Sequence, residues 1–144
     1  MNTKKQVWCC AAVAILMLSG CKPVYEKRIQ GTWRVDSHFT NGSEDTDAFL
    51  LLFNDYQITF YDNGDFTEEY KAALVLPVTV TGTWVIEKKT NGKIGELQLR
   101  LTGDNSVRIY DIKKCTKDTI DIYRADNGDG DSEEVFLEPP PQAS

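Results

Sequence analysis

The chain has 144 residues, 22 of them acidic and 16 basic, for a formal charge of −6. That balance opposes binding to nucleic acid or to an anionic lipid surface, both of which select basic proteins. With one histidine and four cysteines, the chain lacks the ligands for a metal centre built on those residue types.

In chain order the first element is an export signal. Lys4 and Lys5 form a positively charged start, Val7 to Leu18 an apolar run, and Leu18-Ser19-Gly20-Cys21 ends that run with two small residues before a cysteine. The pattern resembles a bacterial lipobox. The resemblance implies a cleaved signal peptide over residues 1–20 and acylation of Cys21 by palmitate-type chains, the partner then being the membrane itself. Each buried methylene contributes about 0.8 kcal/mol, so several chains on one residue hold a protein permanently. A transmembrane anchor is the competing reading, but the run falls short of the roughly 20 apolar residues that span a bilayer. Lys22 stands where many proteobacterial lipoproteins retained in the inner membrane carry Asp, so the resemblance implies the outer membrane of a bacterial cell envelope. Lys22-Pro23-Val24-Tyr25 replaces the acidic cluster of surface-exported Bacteroidetes lipoproteins, which favours the periplasmic side over the cell surface.

Residues 1–20 carry two lysines and no acid, so the remainder has a formal charge of −8. The remaining 124 residues suffice for one domain that buries about two-thirds of its unfolded surface. We place a lipidated tether at 21–28, the domain at 29–138 and a disordered tail at 139–144. Cys115 is then the one unmodified thiol of the mature chain, and is expected to be buried and inert.

The domain reads as short strands. Ile29, Gly31, Trp33, Val35 and Phe39 share one parity, and the polar Gln30, Thr32, Arg34, Asp36 and His38 share the outward one. Acidic, capping-competent residues 43–47 precede Phe49, Leu52 and Phe53 at helical spacing, which predicts a short helix. Tyr56, Ile58 and Phe60 alternate next, and Asp62-Asn63-Gly64-Asp65 turns the chain into a hairpin with residues 66–71. The apolar connection 72–77 is read as strand ends packing on the core, with an exposed binding lip as the alternative. Val78, Val80, Gly82, Trp84 and Ile86 form the next inward row, and Asn91-Gly92 leads to Leu97, Leu99 and Leu101. Residues 106–113 mix parities, which predicts a bulge near Ile109. Ile120 with Ile122, then Val135 with Leu137, mark the last two strands.

Eight strands with short, regular turns predict an all-β antiparallel up-and-down barrel, with an open two-sheet sandwich as the structural competitor. Gly31-Thr32-Trp33 resembles the Gly-x-Trp signature of lipocalins, whose tryptophan plugs the closed end of an eight-stranded barrel. The stretch from Tyr56 to Thr67 and the repeated Gly82-Thr83-Trp84 are similar to small lipocalin-like lipoproteins of the Bacteroidetes. The resemblance implies barrel closure by Trp33 and a late arginine stacked across it. Arg124, sharing parity with Ile120 and Ile122, is the candidate. The family's disulfide between barrel and tail and its long C-terminal helix are missing from this sequence.

No enzymatic chemistry and no cofactor are expected. His38 on the outward parity has no serine motif beside it. The acidic run Asp126 to Glu134 does not fit a calcium loop, because Gly128 and Gly130 occupy positions three and five, where an EF-hand needs carboxylates. A solvated hairpin explains the same residues. Two function classes remain. One is a lipocalin-like barrel binding a small apolar or amphipathic ligand in a lumen lined by Val35, Ile58, Phe60, Glu68, Tyr70, Val80, Leu99 and Ile122, with Glu68 a polar anchor for the ligand or a partner for Arg124. The other is a non-enzymatic interaction module whose barrel is filled by its own side chains and whose loops bind an envelope protein.

Overall fold

The computed structural model describes residues 21–93, 95–103 and 105–142. The signal-peptide reading of residues 1–20 lies outside them. The elements are α1 (Cys21–Ile29), β1 (Gly31–Thr40), β2 (Ser43–Glu44), α2 (Thr46–Leu52), β3 (Phe53–Phe60), β4 (Asp65–Ala72), β5 (Leu76–Lys88), β6 (Leu97–Gly103), β7 (Val107–Cys115), β8 (Ile120–Arg124) and β9 (Glu133–Glu138). Every strand from β3 to β9 pairs antiparallel with the next, and β1 pairs with both β3 and β9. The sheet therefore closes into an eight-stranded up-and-down barrel, not a sandwich, and closure removes the edges that an open sheet would expose. The two-residue β2 only folds back on β1 through Asn41-Gly42, both at positive φ (52° and 75°) as a tight hairpin requires.

The two ends of the barrel differ. At one end lie α1, the turn at 61–65 and the start of β8, and here the core is densest: Ile29, Phe60, Phe66, Ile86, Leu99 and Ile120 are fully buried. The segment 21–28, read as a lipidated tether, lies within helix α1. Arg28 Nη1 donates to the Cys115 carbonyl at 3.1 Å, and Trp33 Nε1 donates to the Ile29 carbonyl at 2.7 Å. Ile29 acts as the plug that makes this helix worth ordering, since burying one such side chain contributes about 1.5–3 kcal/mol. Trp84, on the inward row as expected, donates to the Tyr61 carbonyl at 3.0 Å and meets Phe60 edge-on. Cys115 is buried, and burial pushes its thiol up to about 11 despite Arg28 nearby.

At the other end lie α2, the β4–β5 turn, the Gly103–Ser106 turn and the β8–β9 connection. Register shifts in β1, in β7 and, between Asn54 and Gln57, in β3 decide which side chains face inward along the barrel. One falls in β1 between Val35 and Ser37, where the register against β9 shifts. It reverses the parity, so His38 is buried and not outward as the alternation predicted. The second falls in β7 between Ile112 and Lys114 and not near Ile109. Upstream of it Arg108 and Tyr110 point inward while Val107 and Ile109 are exposed. Downstream of it Cys115 turns into the core. A bulge inserts one unpaired residue and so flips every side chain beyond it.

The 72–77 connection also differs from its prediction. Leu74, Val75 and Leu76 are exposed, Val75 by 80%, because β4 and β5 run past the end of β6, whose pairing with β5 starts only at Gly82. The strand ends therefore have no core to pack against, and the tip is an apolar lip.

Candidate functional site

The barrel encloses a cavity of about 620 Å³ that opens between α2 and the β8–β9 connection. Of the predicted lumen residues, Val35, Ile58, Phe60, Glu68, Tyr70, Val80 and Ile122 line it. Leu99 does not. It is fully buried in the closed end, below the floor of the cavity. The volume falls within the range of roughly 300–1,000 Å³ common to small-molecule sites.

Its walls are not simply apolar. Two ion-paired clusters face the cavity, the first reaching across the barrel from β3 and β4 to β7, the second linking the neighbouring strands β7, β8, β9 and β1. In the first, Glu68 of β4 accepts the Tyr56 hydroxyl at 2.7 Å through Oε1 and pairs with Arg108 Nη2 at 2.8 Å through Oε2. The expected partner Arg124 is therefore replaced by Arg108. Burial disfavours the Arg108 charge, but the Glu68 carboxylate outweighs that penalty and holds its pKa above the ordinary value. Burial, with the same carboxylate alongside, raises the Tyr56 phenol well above its usual range.

In the second cluster Glu133 is the hub. Arg124 Nε and Nη2 both donate to its Oε2, at 3.1 and 2.7 Å, and the Tyr110 hydroxyl reaches the same oxygen at 3.3 Å. His38 Nε2 lies 3.1 Å from Glu133 Oε1, and His38 Nδ1 lies 2.6 Å from Asp45 Oδ1. Ionised carboxylates only accept, so both ring nitrogens must carry protons, and His38 is an imidazolium. Burial alone would lower its pKa; the bonds to Glu133 and Asp45 reverse that and raise it. The same bonds overcome burial at Glu133 and Asp45, whose pKa values fall. Burial and Glu133 push the Tyr110 phenol up to about 12.

The loop chemistry behind this cluster is visible at α2. Asp45 occupies the N-cap position but makes no side-chain cap bond. Its carboxylate turns instead to His38 and to the Thr40 hydroxyl, which donates at 2.8 Å. The lost cap is worth about 1 kcal/mol, so the helix gives up local stability to fix the histidine. The Phe49 ring of α2 then stacks on the His38 ring, centroids 4.3 Å apart.

Arg124 faces inward, as its parity predicts, but stacking across Trp33 does not occur. Its guanidinium lies 5.1 Å from the Tyr110 ring, at the open end, whereas Trp33 is bonded to Ile29 at the closed end. β8 starts at the closed end with Ile120 and finishes at the mouth, so position 124 reaches the wrong end. At the closed end it is Arg28 of α1 that bonds a strand, at the Cys115 carbonyl.

Sequence reasoning missed His38, Asp45, Arg108, Tyr110 and Glu133. The signal for His38 was the consecutive polar pair Asp36-Ser37, which breaks strict alternation. For Arg108 and Tyr110 it was the mixed parity of β7, resolved there in favour of the hydrophobic residues. The acidic run after Arg124 is a turn, as read: Asp126 Oδ1 accepts the N–H groups of Gly128 and Gly130, at 2.8 and 3.1 Å. Among the described residues no group of three or more His, Cys, Asp or Glu side chains is placed to hold a metal ion.

No protein-family model matches the sequence, and neither does any curated protein. Solved structures do match the fold. A lipocalin-like protein from Bacteroides uniformis superposes with a TM-score of 0.51 at 10% identity, over 78% of this chain and 99% of that one. A DUF4847 family protein from Bacteroides vulgatus superposes with a TM-score of 0.50 at 14% identity, over 83% of this chain and 99% of that one. At such identities the likeness concerns architecture alone, and the architecture is that of a lipocalin-like barrel.

Proposed function

We propose that this chain is a lipid-anchored, non-enzymatic binding protein of the bacterial envelope that takes a small amphipathic molecule into its barrel. The observation that carries the reading is the cavity of about 620 Å³ at the open end. A barrel filled by its own side chains would have no such space, so the interaction-module alternative is the weaker of the two. The mixture of an apolar wall with two charged clusters suits an amphipathic ligand better than a purely apolar one, because unmatched polar groups are expensive to desolvate against hydrocarbon.

Anchoring is supported by the lipobox-like residues ending at Cys21, and the outer membrane by Lys22 after it. α1 begins at Cys21 and packs at the closed end. Acyl chains on that residue would set the closed end toward the membrane and leave the mouth facing away. Ligand would then exchange with the periplasm rather than with the bilayer below.

A chain starting at Lys22, which retains every strand and the closing helix, should bind an apolar fluorescent probe saturably at one site. Ile58→Trp and Ile122→Trp should abolish uptake by filling the cavity while the fold melts cooperatively. Undiminished probe binding in both variants overturns the lumen assignment. Separately, Cys21→Ser in the full chain should prevent processing and membrane fractionation; normal fractionation overturns the anchor.

A further inference from the structure

The polar atoms facing the cavity are unequally satisfied. Both oxygens of Glu68 are occupied, one by Tyr56 and one by Arg108. Both oxygens of Glu133 are occupied, by His38 on one side and by Arg124 and Tyr110 on the other. Both oxygens of Asp45 are occupied by His38 and Thr40. The donors are in surplus. A guanidinium offers five N–H groups. Arg108 pairs with Glu68 through Nη2, with its guanidinium 6.0 Å from the Phe66 ring, and Arg124 bonds Glu133 through Nε and Nη2, so each engages fewer acceptors than it has N–H groups. The spare N–H groups belong to side chains 24% and 16% exposed, and both residues line the cavity.

The register brings those two surpluses together. Asp111 pairs with Tyr123 across β7 and β8, so Tyr110 lies opposite Arg124 and Arg108 one inward position further along. Diagonal neighbours of this kind are about 7–8 Å apart at Cα, within reach of long side chains. Tyr110 lies between the two arginines on that face, with the Arg124 guanidinium 5.1 Å from its ring. Formal charge within the two clusters is balanced, since Arg108, Arg124 and the His38 imidazolium offset Glu68, Glu133 and Asp45. Asp129, on the loop at the rim, is exposed to solvent. The vacancy in this wall is thus for hydrogen-bond acceptors, and it is set in a desolvated frame of arginines.

Building on the lumen reading above, we propose that the bound molecule is a single-chain amphiphile with an oxyanion head, a carboxylate or a phosphate, held by the free guanidinium N–H groups of Arg108 and Arg124. Its chain lies along Val35, Ile58 and Ile122. Planar guanidinium groups are suited to such heads because two parallel N–H bonds match two anionic oxygens. The protein's overall negative charge does not oppose this, since a buried head is governed by its immediate partners and not by distant, screened charges.

The test is calorimetric titration of the chain starting at Lys22 with dodecanoate, dodecyl phosphate and dodecanol, three ligands that share one alkyl chain. At least one anion should bind tenfold or more tightly than the alcohol, equivalent to about 1.4 kcal/mol. The tighter of the two anions identifies the head group. In Arg108→Gln and in Arg124→Gln that preference should fall to threefold or less, with the dodecanol affinity unchanged. Should Arg108→Gln not fold, with Glu68 left unpaired, the double variant Glu68→Gln/Arg108→Gln removes both charges and must show the same loss. Equal binding of all three ligands by the wild type overturns the oxyanion head and leaves the lumen reading standing. A preference that survives in the arginine variants also overturns it. Binding of none of the three, with no uptake of the apolar probe, overturns both.

Discussion

His38 is held between Asp45 and Glu133 with its ring stacked on Phe49, and its protonation is coupled to folding. Its pKa is raised from 6.5, so its contribution to stability is complete below that unfolded value and is lost as pH rises through the folded one. Asp45 and Glu133 are lowered from 3.8 and 4.5, so theirs is present above those values and is lost as pH falls through the folded ones. The cluster is therefore most stabilising between about pH 4.5 and 6.5. The melting temperature should decline from pH 6 toward pH 9, and His38→Gln should flatten that decline; an identical slope in the variant refutes the coupling. Glu68 gives a second test at the same scale. Glu68→Ala strands Arg108 in a wall that is only partly solvated, and should cost about 3 kcal/mol in a denaturant titration. Glu68→Leu/Arg108→Met should recover most of that loss, because removing both charges leaves only the Tyr56 hydroxyl without its acceptor.

Among the elements, the β4–β5 hairpin is the one built against its own propensities. Its turn puts Ala73 and Leu74 at positive φ, 49° and 68°, closed by the bond from Val75 N–H to the Ala72 carbonyl. Two consecutive left-handed residues define a type I′ turn, which favours Asn-Gly, as Asn41-Gly42 provides at the β1–β2 turn. Each non-glycine residue held there costs roughly 1–2 kcal/mol. Ala73→Asn with Leu74→Gly should thus raise stability by about 1–2 kcal/mol, and a lower melting temperature would show that the exposed apolar tip contributes contacts of its own. Gly82, in the middle of β5, is the opposite case. A Cβ there would overlap the Thr102 carbonyl oxygen and lie 2.7 Å from Phe66 Cε1. The overlap is with backbone, which cannot rotate aside, so Gly82→Ala should destabilise by about 1–3 kcal/mol.

For the molecule as a whole, the barrel was legible because each strand has one buried face, and a period of two survives in the sequence wherever the core is apolar. Trp33, Ile58, Phe66, Trp84, Leu99 and Ile120 all follow that rule. The site was less legible for a physical reason. A bulge such as the one before Ser37 changes direction without changing composition, and inward charges such as Arg108 and Glu133 look like surface residues until their partners, on distant strands, are known. The same long-range dependence governs folding. β1 is hydrogen-bonded to β9, and the Arg34–Glu138 ion pair joins the same two strands. Val135 and Leu137 of β9 are buried in the core, and Glu133 binds both His38 and Arg124. A chain ending at Ser132 would lose the closing strand, expose the facing edges of β1 and β8, and leave His38 and Arg124 without their shared acceptor. Such edges template association. The truncated chain should lose its cooperative thermal transition and aggregate, and a synthetic peptide of residues 133–138 should restore little, since it must supply the ordering entropy that the covalent chain supplies intramolecularly. A sharp melting transition in the truncated monomer would show that the remaining strands form a stable open sheet, and that pairing of first with last strand is dispensable to the fold.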